Sequence, residues 1–271
     1  MTLWVNGELV SDDGVAVSAF DHGFTVGDGV FETCKVDSGR AFALTRHLRR
    51  LARSASGLGL PPPDETLVRQ GVAETLTASP DAGRLRITYT GGPGPLGSER
   101  GDKGTTIVVA VSGGGAWEDS TKVSIVPWTR NERSAVAGLK TTSYAENVVA
   151  LAYARQRGAS EAIFANSQGQ LCEGTGSNIF AVVDGQLITP TLTSGCLAGI
   201  TRELVIEWCD VEEVDIEAPA LLRASEAFLT SSTRDVQPIH AVDDCDLAAP
   251  GSLTSLARKT FLERSTADVD P

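Results

Sequence analysis

The chain has few of the residues from which proteins build metal centres, disulfide frameworks or membrane spans. Its five cysteines are widely scattered without a C-x-x-C pair, and its three histidines have no metal-ligand spacing. Both facts argue against a disulfide framework or a zinc site. No apolar run approaches the roughly 18 residues that cross a bilayer, and the N-terminus lacks the basic and apolar regions of a signal peptide. We therefore expect a cytoplasmic protein with reduced thiols, no metal and no membrane partner.

Positive charge is also scarce. The 271 residues include 23 Lys and Arg against 35 Asp and Glu, which gives a formal net charge of -12. Binding nucleic acid requires a basic face that neutralises phosphates, so we expect no nucleic-acid partner. The hydrophobic content of 41% and the charged content of 21% are those of a globular protein. The length allows one large domain or two of ordinary size.

Lysine occurs at only five positions, and Lys140 has an unusual context. It follows Gly138 and Leu139 and precedes hydroxyl residues, so it does not belong to a charged face. Further along, Glu173 lies in a Gly/Ser/Asn turn between two strand-like runs. An exposed turn acid is the ordinary explanation of such a residue. However, a Schiff-base lysine and an acid that holds a pyridinium nitrogen are the two groups that a pyridoxal phosphate enzyme needs.

Hydrophobic periodicity predicts short strands with helices inserted between them. Helices are expected at 45–58, with Thr45 as N-cap, and at 64–78, 144–157, 200–208, 221–226 and after residue 252. Strands are expected at 3–10, with a turn at Asn6-Gly7, and at 30–36, 41–44, 84–90, 106–112, 122–127, 161–165, 170–172, 179–183, 186–188 and 227–229.

The order of these elements predicts an α+β fold. Strands and helices do not alternate regularly, and no G-x-G-x-x-G follows the first strand, which argues against a doubly wound sheet. The glycine-rich stretch after residue 112 is a candidate linker. We therefore predict an N-terminal α+β domain at 1–112, a linker at 113–120, and a C-terminal domain at 121–271 that carries Lys140.

Two segments are candidates for binding a phosphate. Gly199-Ile200-Thr201 opens an amphipathic helix, and helix starts bind anions through their N–H groups, although a simple Thr cap is the commoner explanation. Residues 230–233 offer four consecutive hydroxyls, which alone are more often a polar turn. An arginine of the first helix could complete the site, and the sequence does not choose among Arg46, Arg49, Arg50 and Arg53.

Together these residues resemble the class IV aminotransferases, the fold-type IV pyridoxal phosphate enzymes, nearly from end to end. The similarity covers five motifs in the same order, at 21–33, 47–51, 140, 173–180 and 199–202, followed by Leu229-Thr-Ser-Ser232. The family includes branched-chain and D-amino-acid aminotransferases, (R)-amine transaminases and 4-amino-4-deoxychorismate lyases. The resemblance implies two α/β domains joined by a short linker, pyridoxal 5'-phosphate as cofactor, and a homodimer with active sites near the subunit interface.

The resemblance also implies roles for individual residues. Lys140 would form the Schiff base and move protons, and Glu173 would bond the pyridine nitrogen and keep it protonated. Phe31 matches the aromatic residue that faces the substrate. The phosphate would be bound by Arg50, Ile200, Thr201 and Ser232, with Ser231 as a weaker match.

The subtype depends mainly on one position. Phe31-Glu32-Thr33 resembles the Phe-x-Thr of the lyases, and a Thr33 hydroxyl could assist proton transfer to the leaving group. We therefore expect a lyase that converts 4-amino-4-deoxychorismate into 4-aminobenzoate and pyruvate. Arg100 could contact a substrate carboxylate. The alternatives are a D-amino-acid, branched-chain or (R)-amine transaminase and, remotely, a non-catalytic ligand-binding protein on the same fold.

Overall fold

The computed structural model describes residues 2–10, 14 and 17–271. By their internal packing, Met1–Gly115, Leu139–Ser143 and Val269–Pro271 form one compact unit, and Ala116–Gly138 and Tyr144–Asp268 form a second. Each unit combines an extended sheet with helices, which confirms the predicted α+β class. Within the described residues, no helix has the length and apolar character needed to cross a membrane.

The described part of the first unit contains six strands and three helices. They are β1 (Thr2–Val5), β2 (Glu8–Val10), α1 (His22–Thr25), β3 (Gly29–Asp37), β4 (Arg40–Ala41), α2 (Leu44–Gly57), α3 (Glu65–Ala78), β5 (Arg84–Thr90) and β6 (Thr106–Ser112). The strands form one antiparallel sheet in the order β2-β1-β6-β5-β3-β4. Helix α2 packs on β3, and helix α3 packs on β1 and β6.

The two-residue period of β3 divides its side chains between the two faces of this sheet. Val30 and Cys34 enter the core, where they lie in one apolar cluster with Leu48, Leu51 and Ala55 of α2. These helix residues recur at the spacing of one helix face, which is why the segment is amphipathic. Burying each large apolar side chain contributes about 1.5–3 kcal/mol. The packing fixes which face of β3 looks away from the core.

Helix α2 begins one residue earlier than predicted, and Thr45 is not its N-cap. The N-cap residue is Ala43, whose φ of 53° lies in the left-handed region and whose side chain makes no capping bond. Thr45 instead uses both its N–H and its hydroxyl to reach Asp270. The sequence could not indicate this, because the capping carboxylate comes from the other end of the chain.

The segment that contains Lys140 packs in the first unit. The Phe31 N–H donates to the Lys140 carbonyl at 3.0 Å, and the Thr142 N–H donates to the Gly29 carbonyl at 2.8 Å. The Lys140 N–H donates to Ser54 Oγ at 3.2 Å. These bonds place residues 139–143 beside β3, whereas the boundaries predicted from chain order assigned Lys140 to the C-terminal domain.

The second unit contains nine strands, three α-helices and two short 3₁₀ helices. They are β7 (Thr121–Arg130), α4 (Ala145–Gln156), β8 (Glu161–Asn166), β9 (Leu171–Gly174), β10 (Asn178–Val183), β11 (Gln186–Thr189), Leu192–Ser194 (3₁₀), α5 (Ile200–Trp208), β12 (Glu212–Glu213), Ala218–Arg223 (3₁₀), β13 (Glu226–Ser231), β14 (Asp235–Val242), β15 (Cys245–Asp246) and α6 (Ser252–Ala267). The main strand order is β12-β11-β10-β13-β14-β7-β8-β9, and β15 pairs with β14.

This second sheet is mixed, with parallel pairs at β7/β8, β7/β14 and β11/β12. Strands β10 and β13 are buried at nearly every position, as expected for strands covered on both faces. Helix α4 packs on β7 and β8 through the buried Ala150 and Ala154. Helix α5 packs on β13 and α6, which fixes where its N-terminus lies relative to the sheet.

Candidate active site

The first unit brings Lys140 and Phe31 into direct contact. The Lys140 ammonium lies 4.2 Å from the centroid of the Phe31 ring, a cation–π distance. Phe31 is buried, and Lys140 is half-buried. Thr33 follows Phe31 at the two-residue period of β3 and therefore lies on the same face of the sheet. An amine, an aromatic ring and a hydroxyl thus lie along one strand face.

Cationic side chains of β3 and β5 share this face. Arg86 pairs with Thr33 across the strands, and its guanidinium lies 3.7 Å from the Phe31 centroid. Lys35 pairs with Arg84 two residues further along the strands and on the same face. Within the described residues, the buried Arg84 Nε has no hydrogen-bond partner. In a chain of net charge -12, this local positive region is suited to an anionic ligand.

On the opposite face of β3, a buried carboxylate binds two side chains of α2. Arg50 Nε and Nη2 donate to the two oxygens of Glu32 at 2.8 and 2.6 Å. His47 Nδ1 lies 2.6 Å from Glu32 Oε2. All three side chains are at least nine-tenths buried. Of the four helix arginines left open by the sequence, Arg50 is therefore the one directed into the protein and held in a fixed geometry.

The charges of this cluster shift the pKa values of its members. Burial raises the pKa of Glu32, but the charge and hydrogen bonds of Arg50 outweigh it, helped by His47, and lower that pKa to about 2. Burial lowers the pKa of His47, against the attraction of Glu32. The cluster therefore keeps an ionised Glu32 that orients Arg50.

Arg100 is engaged elsewhere in the first unit. Its Nε and Nη2 donate to the Asp28 carboxylate, each at 2.7 Å, and two further bonds go to the carbonyls of Leu58 and Gly59. Four hydrogen bonds use most of the five donors of a guanidinium. This geometry does not favour the predicted substrate contact of Arg100, which instead fastens its loop to Asp28 and the end of α2.

In the second unit, Glu173 stands at the end of β9 with two partners that stabilise its negative charge. The Leu197 N–H donates to Glu173 Oε2 at 2.9 Å. Arg130 Nε lies 3.2 Å from Glu173 Oε1, an ion pair without the alignment of a hydrogen bond. The Arg130 guanidinium also lies 4.3 Å from the Phe164 centroid, so packing holds it in place. Glu173 is thus a mostly buried, oriented carboxylate rather than a free turn residue.

The turn after Glu173 is organised by a second acid, Glu161. The carboxylate of Glu161 accepts the Thr175 N–H at 3.0 Å, the Thr175 hydroxyl, and the Ser177 hydroxyl at 3.0 Å. Gly174 lies so close to Glu161 and Ser177 that a Cβ there would collide with the Ser177 hydroxyl. The Gly, Thr and Ser of this turn are therefore explained by the bonds that fix the end of β9.

The N-terminus of α5 lies beside the same network. Gly199, its N-cap, makes no side-chain cap, and a Cβ at this position would overlap Asn178 Oδ1. Ile200 and Thr201 are buried in the first turn. Their N–H groups are among those that a helix leaves without an internal partner. This start of α5 therefore presents buried donors of the kind that bind anions.

Hydroxyls at the end of β13 are near this helix start. Thr230 pairs with Asn178 across the strands, and its buried hydroxyl has no hydrogen-bond partner among the described residues. Ser231 ends β13 and its Oγ accepts the Arg234 N–H at 3.2 Å, while Ser232 lies in the following turn. An unsatisfied buried hydroxyl is unfavourable unless a ligand completes it.

The sequence did not identify several residues that position the candidate site residues in the two units. Glu32 and His47 were part of the quoted motifs without a role, although His47 at three residues before Arg50 indicated a shared helix face. Arg130, Glu161 and Arg86 were not singled out, because each acts through partners that are distant in sequence. Nothing in their immediate neighbourhood distinguishes them from surface charges.

Comparisons with known proteins agree on one family. The family described as "Amino-transferase class IV" matches residues 29–242. The bifunctional aminodeoxychorismate lyase / D-amino acid transaminase of Mycobacterium tuberculosis is 30% identical, over 92% of this chain and 89% of that protein.

Two solved structures agree with this result. The fold IV-transaminase of Curtobacterium pusillum is 32% identical with a TM-score of 0.85, over 96% of this chain and 98% of that one. The branched-chain aminotransferase of Thermoproteus uzoniensis is 30% identical with a TM-score of 0.86, over 97% and 94%. They confirm the predicted fold-type IV architecture.

Proposed function

Because this chain belongs to the class IV aminotransferase family, we propose that it is a lyase that converts 4-amino-4-deoxychorismate into 4-aminobenzoate and pyruvate. Enzymes of this family depend on pyridoxal 5'-phosphate, which is therefore the cofactor of this enzyme. The observation that carries the proposal is the position of Thr33. This residue lies on the same face of β3 as Phe31, and the Lys140 amine contacts the Phe31 ring.

Each unit, taken by itself, contains residues that fit a part of the cofactor. Its phosphate would be bound by Arg50, the N–H groups of Ile200 and Thr201, and the hydroxyls of Ser231 and Ser232. Two observations support this assignment: the uncapped start of α5 and the unsatisfied hydroxyl of Thr230 beside it. Lys140 would bond the aldehyde carbon, and Glu173 would hold the pyridine nitrogen protonated. When bound, the cofactor supplies an electron sink for the pair left by a broken C–H bond.

Each step of the reaction then has a residue of this chain. The Lys140 amine accepts the proton from the ring carbon that bears the amino group. The bond between the neighbouring carbon and the enolpyruvyl oxygen breaks, and the ring becomes aromatic. Thr33 assists protonation of the leaving enolpyruvate, which ends as pyruvate. The proton removed and the proton delivered balance, so no oxidant or reductant is required.

The charge of this strand face fits the proposed substrate. 4-Amino-4-deoxychorismate carries two carboxylates, and Lys35, Arg84 and Arg86 lie on the face that holds Phe31 and Thr33. A guanidinium can bind a carboxylate through two parallel hydrogen bonds. We propose Arg86 rather than Arg100 as the carboxylate partner, since Arg100 already makes four hydrogen bonds within its unit.

Transamination of amino acids is the second candidate. The observation that favours it is the relative from Mycobacterium tuberculosis, whose name includes both a lyase and a D-amino acid transaminase activity. Both reactions begin with the same proton removal, so Lys140 and Glu173 would serve either one. The reactions differ in the next step. The lyase breaks the bond to the enolpyruvyl oxygen, whereas transamination returns the proton to a different carbon, and Thr33 is the group that we assign to the lyase branch.

The test compares the two reactions on one enzyme. Wild-type protein is incubated with 4-amino-4-deoxychorismate, and separately with D-alanine or L-valine plus 2-oxoglutarate, and the products are quantified. We expect 4-aminobenzoate and pyruvate in equal amounts. In Thr33→Val their formation should fall about 10²-fold, the usual scale of general acid assistance. Thr77→Val, on the exposed side of α3, is the matched control. Brisk transamination without 4-aminobenzoate would reject the lyase in favour of the second candidate.

We also propose that the enzyme is a homodimer. Phe20, Phe24 and Leu96 of the first unit expose 57%, 77% and 74% of their surfaces. The Gly94 N–H donates to the Phe20 carbonyl at 3.0 Å, which brings Phe20 next to the loop that contains Leu96. Neighbouring exposed apolar side chains are typical of surfaces that bind another protein. Light scattering after size-exclusion chromatography should give twice the chain mass of 28.4 kDa, and a mass of one chain would contradict the proposal.

A further inference from the structure

We propose that Asp270, which lies far from helix α2 in the sequence, caps the start of this helix and thereby positions Arg50. The inference rests on the proposed function in one respect, the role of Arg50 as a phosphate ligand. It makes Asp270 a positioning residue, since it acts only through the helix that it caps.

The start of α2 depends on three residues at the end of the chain. The Thr45 N–H and hydroxyl donate to the two carboxylate oxygens of Asp270 at 2.8 and 2.6 Å. The Ala43 N–H donates to the Val269 carbonyl at 2.7 Å. Arg46 Nε donates to the Pro271 carbonyl at 2.8 Å. Together these bonds supply acceptors to a helix start whose own N-cap residue, Ala43, has no polar side chain.

The charge of Asp270 suits this place. The N-terminus of a helix carries a partial positive charge, which a carboxylate stabilises. The Arg69 guanidinium donates to the Thr45 hydroxyl at 3.0 Å, and this same hydroxyl donates to Asp270, so a positive charge lies close to the carboxylate. An asparagine would keep the capping oxygen without the charge, and alanine would remove both. These two substitutions separate capping from electrostatic attraction.

The capped turn leads directly to Arg50. His47 lies in the first turn of α2, where its N–H donates to the Ala43 carbonyl at 3.1 Å. Its ring bonds Glu32, and Glu32 in turn fixes Arg50 through two hydrogen bonds. Fraying of the first turn would release His47 and loosen the carboxylate that orients Arg50. Asp270 thus acts on the cofactor site through bonds that all lie within the first unit.

The first measurement is hydrogen exchange at the start of α2 in the full chain. Loss of an N-cap typically shifts a helix-start equilibrium by about two- to thirtyfold. We expect exchange at residues 44–47 to accelerate by that factor in Asp270→Ala and in a chain lacking residues 269–271. In Asp270→Asn, which keeps one capping oxygen but loses the charge, the acceleration should be smaller. Asp81→Ala, at an exposed turn of the same unit, is the control.

The second measurement compares two ligands of the apoenzyme, pyridoxal 5'-phosphate and pyridoxal without phosphate. If Asp270 positions Arg50, Asp270→Ala lowers affinity for the phosphorylated form about threefold or more and leaves that for pyridoxal unchanged, because fewer molecules hold the binding-competent turn. A general loss of structure would lower both. Arg50→Ala should also lower only the affinity for the phosphorylated form, and by a larger factor.

The outcomes separate the two ideas. Unchanged exchange at 44–47 in both Asp270→Ala and the shortened chain overturns the capping. The second outcome concerns the ratio of the affinity for pyridoxal 5'-phosphate to that for pyridoxal. If exchange is faster in Asp270→Ala but this ratio is unchanged, while Arg50→Ala reduces the ratio, the link to Arg50 is overturned. If Arg50→Ala itself leaves the ratio unchanged, the phosphate role of Arg50 is wrong and the positioning inference falls with it.

Discussion

Arg50 and Glu32 form a two-bond pair inside the first unit, with Nε and Nη2 at 2.8 and 2.6 Å from the two carboxylate oxygens. Both side chains are at least nine-tenths buried. A paired buried carboxylate must stay ionised to keep its partner in place, and removing one partner leaves an uncompensated charge. The pair therefore links the geometry of the proposed phosphate site to the pH dependence of folding.

The first prediction concerns stability in acid. The pKa of Glu32 is lowered from 4.5 to about 2, so its contribution is complete above pH 4.5 and is lost as pH falls towards 2. The pKa of His47 is lowered from 6.5, so its contribution is complete above pH 6.5 and declines below it. The free energy of unfolding from urea titrations should therefore fall first below pH 6.5 and more steeply below 4.5.

His47→Gln tests the first part of this decline. The difference in unfolding free energy between wild type and this variant should shrink as pH falls from 7 to 5, because only the wild type then binds a proton on unfolding at that position. A difference that is constant over this range would show that His47 is not held neutral.

The second prediction concerns Lys140. Borohydride treatment of the enzyme with pyridoxal 5'-phosphate should attach the reduced cofactor covalently to Lys140, as peptide mass spectrometry can locate. Lys140→Ala should lose this attachment and nearly all turnover, because it removes the amine that contacts the Phe31 ring. Lys259→Ala, on the exposed α6 helix, should retain both. Attachment at another lysine of the wild type would contradict the assignment.

The third prediction concerns Glu173 and its cation. Glu173→Gln should retain the cofactor but lose about 10²–10³-fold in turnover, the scale of a removed preorganised charge. Arg130→Gln removes a partner of Glu173 and should cost less, about tenfold. Glu263→Gln, on the exposed α6 helix, provides the control in steady-state assays. Equal rates in Glu173→Gln and wild type would mean that this acid serves only the turn.

The fourth prediction separates two arginines. Arg86→Gln should raise KM for a carboxylate substrate about tenfold or more, because it removes a charge-assisted bond. Arg100→Gln should leave KM nearly unchanged. It should make the loop at 91–104 easier to cleave by a protease that does not cut at arginine, such as thermolysin, since the bonds of Arg100 to Asp28, Leu58 and Gly59 are lost. A KM effect confined to Arg100→Gln would reverse the two roles.

Sequence periodicity predicted most of the elements, because their amphipathic patterns are local. The helices at 64–78 and 200–208 and the hairpin at Asn6-Gly7 all occur in the structure. Strand β14 (Asp235–Val242) was missed because it contains Pro238, and a proline within a run argues against a strand in the interior of a sheet. The error at Thr45 has a different cause: its capping partner lies at the other end of the sequence.

The candidate site could be predicted from sequence only as far as motifs reach. Lys140 and Glu173 were identifiable because they stand among small residues and glycines. Which helix arginine points inward depended on Glu32, a residue of another element, and no helix pattern contains that information. Similarly, Arg86 became visible only once β3 and β5 were paired in register. Side chains that act through long-range partners require the fold itself.

The alternation along β3 has a consequence for how this enzyme can evolve. Residues 31, 33 and 35 face away from the core, whereas Glu32 holds Arg50 on the other side. Substitutions at the odd positions can therefore alter the choice of substrate without disturbing the proposed cofactor anchor. A single-residue insertion would exchange the two faces and abolish both roles at once. New specificities on this strand are thus expected to arise by substitution at alternate positions and not by insertion or deletion of residues.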